Sequence, residues 1–182
     1  KFNFNQFNSK SSIIANIPYQ ITTPLIEHFV QHKHKLSKCT IMIQKEVADR
    51  ILANSNSKTY GLLTIFCNYH FEIEKGFNVS RNCFFPSPKV DSHVLSFTPK
   101  KRILTIIDEP KFFAMTKSLF WGRRKTILKC LMSSPYIVCN ESIKQQSNIQ
   151  EELIKRGENL SMTKLISLFT KIKTKISIKK ST

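Results

Sequence analysis

Ser12-Ile13-Ile14-Ala15-Asn16-Ile17-Pro18-Tyr19 is an apolar run that stops at a proline and continues into an aromatic residue. The run predicts a buried β-strand, and Pro18 ends it because proline cannot donate a hydrogen bond to a β-ladder. In an open α/β sheet, ligands bind beyond the carboxyl ends of the strands. We therefore expect Asn16, Ile17, Pro18 and Tyr19 to face a site. The plainer interpretation is a strand-to-turn junction with a core tyrosine.

Helical and strand-like segments follow in an order typical of an α/β domain. Pro24, after a threonine cap at Thr22 or Thr23, predicts the first turn of a helix. Alternating apolar residues in 70–79 and 91–98 predict two strands that pair as neighbours at one edge of the sheet. The other expected elements are a buried strand at 39–43 and helices at 46–53 and 60–69. These patterns predict an α/β domain over residues 1–104 with an antiparallel edge hairpin.

The second part of the chain has a helical pattern, and we expect a small all-α domain over residues 105–172. One helical face is expected to carry a run of apolar side chains: Phe112, Met115, Leu119, Phe120, Ile127, Leu128 and Leu131. Further helices are expected at 149–156 and 163–172, with Gly157 as a stop signal between them. Residues 173–182 are expected to form a loose basic tail.

The chain carries 29 Lys and Arg against 12 Asp and Glu, a formal net charge of +17. A field of that sign attracts polyanions, nucleic acid first and anionic membrane second. An A/T-rich coding bias would also raise the lysine content, so the position of the charge is more informative than its total. Residues 111–140 hold six basic residues and no acid, and residues 171–182 hold five lysines and no acid. These one-signed segments favour contact with nucleic acid.

Other classes of protein fit the sequence less well. No apolar run is long enough to cross a membrane. The five cysteines form no C-x-x-C pair, which favours an intracellular, reduced protein whose thiols are small core residues. His28, His32 and His34 have no carboxylate or cysteine in the same run, so we expect no metal site. We expect a cytoplasmic monomer.

The run from Asn16 to Tyr19 suits methylation of an exocyclic amine. The lone pair of adenine N6 is delocalised into the ring and is a poor nucleophile. An asparagine oxygen and a backbone carbonyl can accept the two N–H hydrogens and hold that lone pair toward a methyl donor. Tyr19 offers a face for base stacking, worth about 1–3 kcal/mol. A base must leave its helix to reach such a pocket.

A second motif lies downstream, Phe84-Phe85-Pro86-Ser87-Pro88-Lys89-Val90-Asp91-Ser92. Its two prolines predict a stiff extended loop. One phenylalanine could stack on the other face of a flipped base, and Lys89 could contact a phosphate. The alternative is a stiff linker with buried aromatic residues.

Together with Gln44-Lys45-Glu46-Val47-Ala48-Asp49-Arg50, these motifs resemble the ribosomal RNA adenine dimethylases. The similarity runs from about residue 12 to about residue 169 and includes Arg123-Arg124-Lys125-Thr126. It implies S-adenosylmethionine-dependent dimethylation of N6 of adenines in small-subunit ribosomal RNA, during ribosome biogenesis. It also implies the back half of a Rossmann-like methyltransferase sheet followed by a helical domain. The expected partner is small-subunit rRNA or a pre-ribosomal small subunit.

The resemblance also implies roles for particular residues. Asn16 would contact both the methyl donor and the target amine, and Pro18 would lie beside the donor. Tyr19 would stack on the adenine, and Phe84 would close the other face. These four residues are the expected catalytic and cofactor-binding set.

The expected RNA contacts are Lys89 and three consecutive basic residues, Arg123, Arg124 and Lys125. The three are expected on a basic helix that faces the rRNA backbone. A solvated helix face is an equally good interpretation of this cluster. Lys129 stands where the family pattern has an asparagine, which puts the detail of that helix in doubt.

A glycine-rich turn for the methyl donor is missing from the sequence. The four glycines are too far apart for a G-x-G motif, and fifteen residues before Asn16 are too few for a βαβ unit. We therefore expect a C-terminal fragment, inactive alone, that lacks on the order of 100 residues. Two alternatives stay open. One is a non-catalytic nucleic-acid-binding relative that resembles mitochondrial transcription factors. The other is a DNA adenine methylase, although those typically carry a proline at the position of Ile17.

Overall fold

The computed structural model describes residues 10–100 and 108–179, which form two compact units. The first unit comprises residues 10–52 and 63–100, and the second comprises residues 53–62 and 108–179. The expected boundary near residue 104 lies outside the described residues. Residues 53–62 were expected in the first domain, but they belong to the second unit. Within that unit, the Tyr60 hydroxyl donates to the Leu160 carbonyl at 2.9 Å, and the Asn56 N–H donates to the Glu158 carbonyl at 2.8 Å.

The first unit follows the expected order of strands and helices. Its strands are β1 (Ser11–Asn16), β2 (Leu36–Gln44), β3 (Phe71–Val79) and β4 (Ser92–Pro99). Its helices are α1 (Thr22–Gln31), α2 (Lys45–Ile51) and α3 (Leu62–His70). Pro24 lies in the first turn of α1, where its missing N–H costs no hydrogen bond.

The four strands form one mixed sheet in the order β1-β2-β4-β3. β1 pairs with β2 in parallel, whereas β4 pairs with both β2 and β3 in antiparallel fashion. The expected hairpin of β3 and β4 is therefore confirmed, with β3 at the edge. Because of this topology, the ends of β1, β2 and β3 and the start of β4 meet at the same edge of the sheet.

The core lies between one face of the sheet and the three helices. Cys39, Ile41 and Ile43 of β2 pack in one cluster with Leu95 and Phe97 of β4. The helices add further fully or nearly fully buried side chains to it: Ile26, Phe29, Ala48, Ile51 and Cys67. The two-residue alternation expected for 91–98 is confirmed, since Leu95 and Phe97 are buried between the less buried Val94, Ser96 and Thr98.

The expectation that β1 is a buried strand is wrong. Its residues alternate between half-buried and exposed, and the side chain of Ile14 is 88% exposed. β1 is the outermost strand of the described sheet, and the core cluster reaches only its alternate residues Ile13 and Ala15. An apolar run alone does not distinguish a strand that is covered on both faces from one that is covered on a single face.

The second unit is mainly helical. Its helices are α4 (Glu109–Trp121), α5 (Ile127–Ser133), α6 (Gln150–Leu153) and α7 (Met162–Ile172). Asp108 caps α4 by accepting the Lys111 N–H at 3.0 Å, and Ser161 caps α7 by accepting the Lys164 N–H at 3.4 Å. The buried side chains Phe112 and Phe169 of α4 and α7 pack edge to face, with ring centroids 5.5 Å apart.

Two features of this unit differ from expectation. β5 (Ile137–Cys139) pairs with β6 (Ile176–Ile178) in a two-stranded antiparallel sheet, so the unit is not purely α-helical. Part of the expected loose tail is therefore a paired strand. It follows a turn in which the Lys175 N–H donates to the Ile172 carbonyl at 2.8 Å. Residues 180–182 of the expected tail lie outside the described residues.

The expected basic helix is also wrong. α4 ends at Trp121, with Gly122 as its C-cap, and α5 starts after Thr126, whose side chain accepts the Lys129 N–H at 3.4 Å. Arg123, Arg124 and Lys125 therefore lie in the turn between two helices. A glycine followed by a threonine cap stops one helix and starts the next, although the apolar spacing continues across the break.

Candidate functional site

The run from Asn16 to Tyr19 leaves the sheet at its carboxyl edge. Asn16 is the exposed last residue of β1, Ile17 is buried, and Pro18 is exposed. Pro18 precedes a single 3-10 turn, in which its carbonyl accepts the Ile21 N–H at 3.1 Å. This turn leads directly into α1. Asn16 thus lies at the surface, between the end of a strand and the start of a helix.

Tyr19 joins this run to the start of β4. Its hydroxyl shares a hydrogen bond with the hydroxyl of Ser92 at 2.7 Å, and Ser92 is fully buried. The Tyr19 carbonyl also accepts a hydrogen bond from the Thr22 hydroxyl at 3.0 Å. Tyr19 is half-buried, and hydrogen bonds hold both its carbonyl and its hydroxyl. Ser92 is the last residue of the second motif, and the sequence did not predict its contact with Tyr19.

The loop that carries Phe84 is closed by bonds between its two ends. The Arg81 N–H donates to the Asp91 carboxylate at 3.0 Å, and the Ser87 hydroxyl donates to the Arg81 carbonyl at 2.9 Å. Phe84 is half-buried, whereas the neighbouring Phe85 is fully exposed. Since β4 begins right after Asp91, the bond between Tyr19 and Ser92 brings the base of this loop to the end of β1. Within residues 10–100, no hydrogen bond joins Asn16 to Phe84.

Lys89 lines a separate cavity of about 470 Å³ at the same edge of the sheet. Its other walls come from the start of α2 and the two ends of the Phe84 loop: Lys45, Glu46, Asp49, Ser80, Arg81, Asn82, Val90 and Asp91. Sequence reasoning missed Arg81 as part of this region. The cavity walls carry both basic and acidic residues, so no one-signed cluster in the sequence indicated a site there.

Two titratable groups in this region have shifted pKa values, Lys45 and His93. The Lys45 ammonium lies 2.8 Å from the Asp49 carboxylate, and the hydrogen bond to Asp49 raises the pKa of Lys45. His93, beneath on β4, is 2% exposed. Burial, and then the positive charge of Lys75, lower the pKa of His93 below its usual value. Neither ring nitrogen of His93 has a hydrogen-bond partner among the residues that the structure describes.

The three basic residues of the second unit are not equivalent. The Arg123 guanidinium donates to the Lys58 carbonyl at 2.8 Å and to the Glu158 carboxylate at 3.0 Å. Arg124 and Lys125 are exposed, and the Lys125 ammonium lies 4.4 Å from the centroid of the Trp121 ring. Arg123 therefore braces the second unit internally, whereas Arg124 and Lys125 face solvent.

Over residues 10–100 and 108–179, no helix has the length and apolar character needed to span a membrane. In the same ranges, no group of three or more His, Cys, Asp or Glu side chains is placed to hold a metal ion.

Solved structures share this fold. The chain is similar to a dimethyladenosine transferase from Plasmodium falciparum, with a TM-score of 0.73 and 29% identity, over 91% of this chain and 68% of that one. It also resembles the 23S rRNA methyltransferase ErmE, with a TM-score of 0.61 and 20% identity, over 88% of this chain and 65% of that one. The expected Rossmann-like methyltransferase fold is therefore confirmed.

Sequence relatives agree with the fold. A protein named ribosomal RNA small subunit methyltransferase A from Streptococcus thermophilus is 39% identical over 157 residues, which cover 83% of this chain and 53% of that protein. The protein of the same name from Geobacter metallireducens is 36% identical over 158 residues, which cover 86% of this chain and 58% of that protein. The chain thus spans just over half the length of these relatives. The family model for ribosomal RNA adenine dimethylase matches residues 1–171, and the chain belongs to that family.

Proposed function

We propose that this chain forms the base-binding side of an enzyme that dimethylates N6 of adenines in small-subunit ribosomal RNA. The observation that carries the proposal is the placement of Asn16 at the carboxyl end of β1, three residues before a tyrosine whose hydroxyl is bonded to Ser92. The first unit would then be the C-terminal part of a methyltransferase domain, and the second unit an rRNA-contacting domain. The protein would act as a cytoplasmic monomer during ribosome biogenesis.

The residues of the strand end suit the target amine. The Asn16 side-chain oxygen would accept one N6 hydrogen. The Pro18 carbonyl already accepts the Ile21 N–H at 3.1 Å, so we assign the second hydrogen to the Ile17 carbonyl. Two acceptors on one amine draw its lone pair out of conjugation with the ring and orient it. The spent proton can leave to water, so no strong general base is required.

Two aromatic side chains suit the base itself. Tyr19 would stack on one face of a flipped adenine and Phe84 on the other, each stacking contact being worth about 1–3 kcal/mol. The hydroxyl bond to Ser92 keeps the Tyr19 ring in place before the base arrives, which lowers the entropy cost of binding. Lys89, exposed on the same loop, would meet a phosphate beside the flipped nucleotide.

The methyl donor fits this chain only in part. S-adenosylmethionine supplies an electrophilic methyl group on a sulfonium. Asn16 and Pro18, which are both exposed, would contact that methyl-bearing end. The four glycines of the sequence form no G-x-G cradle for the rest of the donor. We therefore assign to this chain only the holding of the amine and the base.

Mass spectrometry of nucleosides tests the proposal. The complete gene product is incubated with S-adenosylmethionine and small ribosomal subunits that lack the modification. We expect N6,N6-dimethyladenosine in the small-subunit rRNA, and none in large-subunit rRNA treated in the same way. RNA binding without any methylated nucleoside would contradict the proposal and favour the non-catalytic relative.

A further inference from the structure

An aromatic-cationic strip runs along one side of the second unit. It consists of Tyr136, Lys117, Trp121 and Lys125. The Lys117 ammonium lies 4.2 Å from the centroid of the Tyr136 ring, and the Lys125 ammonium lies 4.4 Å from the centroid of the Trp121 ring. Lys117 and Trp121 are four residues apart on α4, so they share a helix face about 6 Å apart along the axis. Lys117 and Trp121 therefore bring the two ring–ammonium pairs together on one face of α4.

The strip is accessible and has a fixed backbone. Lys117 and Lys125 are exposed, and the Trp121 side chain is 45% exposed, which is unusual for the only tryptophan of the chain. Tyr136 is held in position because its N–H donates to the Ser134 hydroxyl at 3.0 Å and its carbonyl accepts the Lys179 N–H at 2.9 Å. A core role accounts for neither the exposure of Trp121 nor the lysine over its ring.

The segment of the chain that carries the strip is basic throughout. Arg124 and Lys129 are exposed beside it, and residues 110–140 contain no acidic residue. Among nearby acids, Asp108 is paired with Lys111 at 3.2 Å. A polyanion is the complementary partner. A polyanion without rings, such as an acidic peptide, would use the lysines but not the two aromatic faces.

We propose that the aromatic-cationic strip binds single-stranded RNA, with unpaired bases on Trp121 and Tyr136 and phosphates at Lys117, Lys125 and Arg124. Stacking on aromatic rings combined with backbone phosphate contacts is how proteins hold single strands. A duplex keeps its base faces stacked internally and offers them to neither ring. The inference deepens the proposed function by naming the form of rRNA that the second unit holds.

The single tryptophan makes the contact directly measurable. Titration of the 182-residue chain with a short adenine-rich single-stranded RNA is expected to quench Trp121 fluorescence, in parallel with binding followed by anisotropy of labelled RNA. The duplex of the same sequence is expected to quench much less. Anisotropy that reports single-strand binding without quenching would overturn the inference. Equal quenching by polyglutamate would also overturn it, in favour of an acidic protein partner.

Variants separate stacking from charge. Trp121→Ala is expected to weaken single-strand binding about tenfold, whereas Trp121→Phe keeps a ring and most of the affinity. Lys125→Ala is expected to weaken binding and lower its salt dependence by about one ion. Ile154→Ala and Lys144→Ala serve as matched controls, since Ile154 is 73% exposed and Lys144 is exposed outside the strip. If Trp121→Ala bound single-stranded RNA with unchanged affinity, the proposal that the strip binds RNA would be refuted.

The inference and the proposed function can fail separately. Formation of dimethyladenosine without Trp121 quenching would refute RNA binding by the strip and leave the enzyme proposal intact. Quenching by single-stranded RNA without any methylated nucleoside would support the strip and contradict the enzyme proposal.

Discussion

Tyr19 combines two properties that a single substitution can separate. Its ring is proposed to stack on the target base, whereas its hydroxyl is tied to the buried Ser92 at 2.7 Å. The ring would bind the base, and the hydroxyl holds the ring in position. Sequence reasoning predicted the ring's role but not its anchor, because nothing in the local pattern pairs residues that are so far apart in the chain.

Tyr19→Phe and Tyr19→Ala should therefore differ. We expect Tyr19→Phe to lose about 1 kcal/mol of the free energy of unfolding and to keep methyl transfer within a few-fold. Tyr19→Ala should raise the KM for rRNA about tenfold or more, because the stacking surface is gone. Urea unfolding and steady-state methyl transfer by the complete gene product measure the two effects. Equal activity losses in both variants would contradict the stacking role.

His93 makes the first unit sensitive to acid. In the folded protein, burial and Lys75 lower the pKa of His93 below 6.5, with Lys45 adding to the effect and Asp49 opposing it. The unfolded chain takes up a proton at about pH 6.5, which the folded protein resists. The unfolded state therefore binds more protons below that pH, and stability falls as the pH drops.

We expect the free energy of unfolding to fall more steeply between about pH 7.5 and about pH 5 in the native chain than in His93→Leu. The carboxylates titrate in both proteins, so the difference between the two curves reports His93. Urea unfolding at several pH values provides the measurement. Parallel curves would show that the imidazole takes up its proton as readily in the folded as in the unfolded state.

At the level of elements, the closed loop from Ser80 to Asp91 positions Phe84. The bond from the Arg81 N–H to the Asp91 carboxylate at 3.0 Å joins the two ends of this loop. The sequence predicted a stiff loop from its prolines. It did not predict this closure, because the bond depends on the pairing of β3 with β4, which brings residues 81 and 91 together.

We expect Asp91→Ala to lower methyl transfer by about three- to tenfold, since a bond worth about 0.5–1.5 kcal/mol no longer holds the loop. Asp91→Asn keeps an acceptor oxygen and should retain most of the activity. Circular dichroism of both variants checks that the fold is intact. Full activity of Asp91→Ala would mean that the loop needs no closure to place Phe84.

In the second unit, Gly157 lies close against α4. A Cβ at this position would lie 3.0 Å from the Leu119 carbonyl oxygen and 3.0 Å from its Cβ. The sequence predicted Gly157 as a helix stop, and its close contact with α4 is a separate reason for a glycine.

Gly157→Ala is expected to destabilise the second unit by about 1–3 kcal/mol, because backbone atoms of α4 would have to move. Gly61→Ala is the matched control, since a Cβ at Gly61 meets no atom within 4 Å. Thermal unfolding of the two variants makes the comparison. Equal melting temperatures would show that α4 yields without cost.

Across the whole molecule, local patterns predicted the order of strands and helices in the first unit and the edge hairpin. They failed where tertiary pairing decides the outcome. β6 forms only because β5 lies beside it, and Ile14 is exposed because the described sheet has no strand or helix over that side of β1. The turn at Arg123 was missed because the apolar spacing of the α4 face continues past Gly122.

The central claim is that the end of β1 holds the amine of an adenine, and Asn16→Ala in the complete gene product tests it most directly. Methyl transfer to small ribosomal subunits and subunit binding are measured on the same preparation. Asn54→Ala, at an exposed asparagine of the second unit, is the control. We predict that Asn16→Ala lowers transfer at least a hundredfold and changes subunit binding less than threefold, consistent with the loss of one group that acts only on the reacting amine. Transfer within threefold of the native rate, or loss of transfer and binding together, would contradict the account.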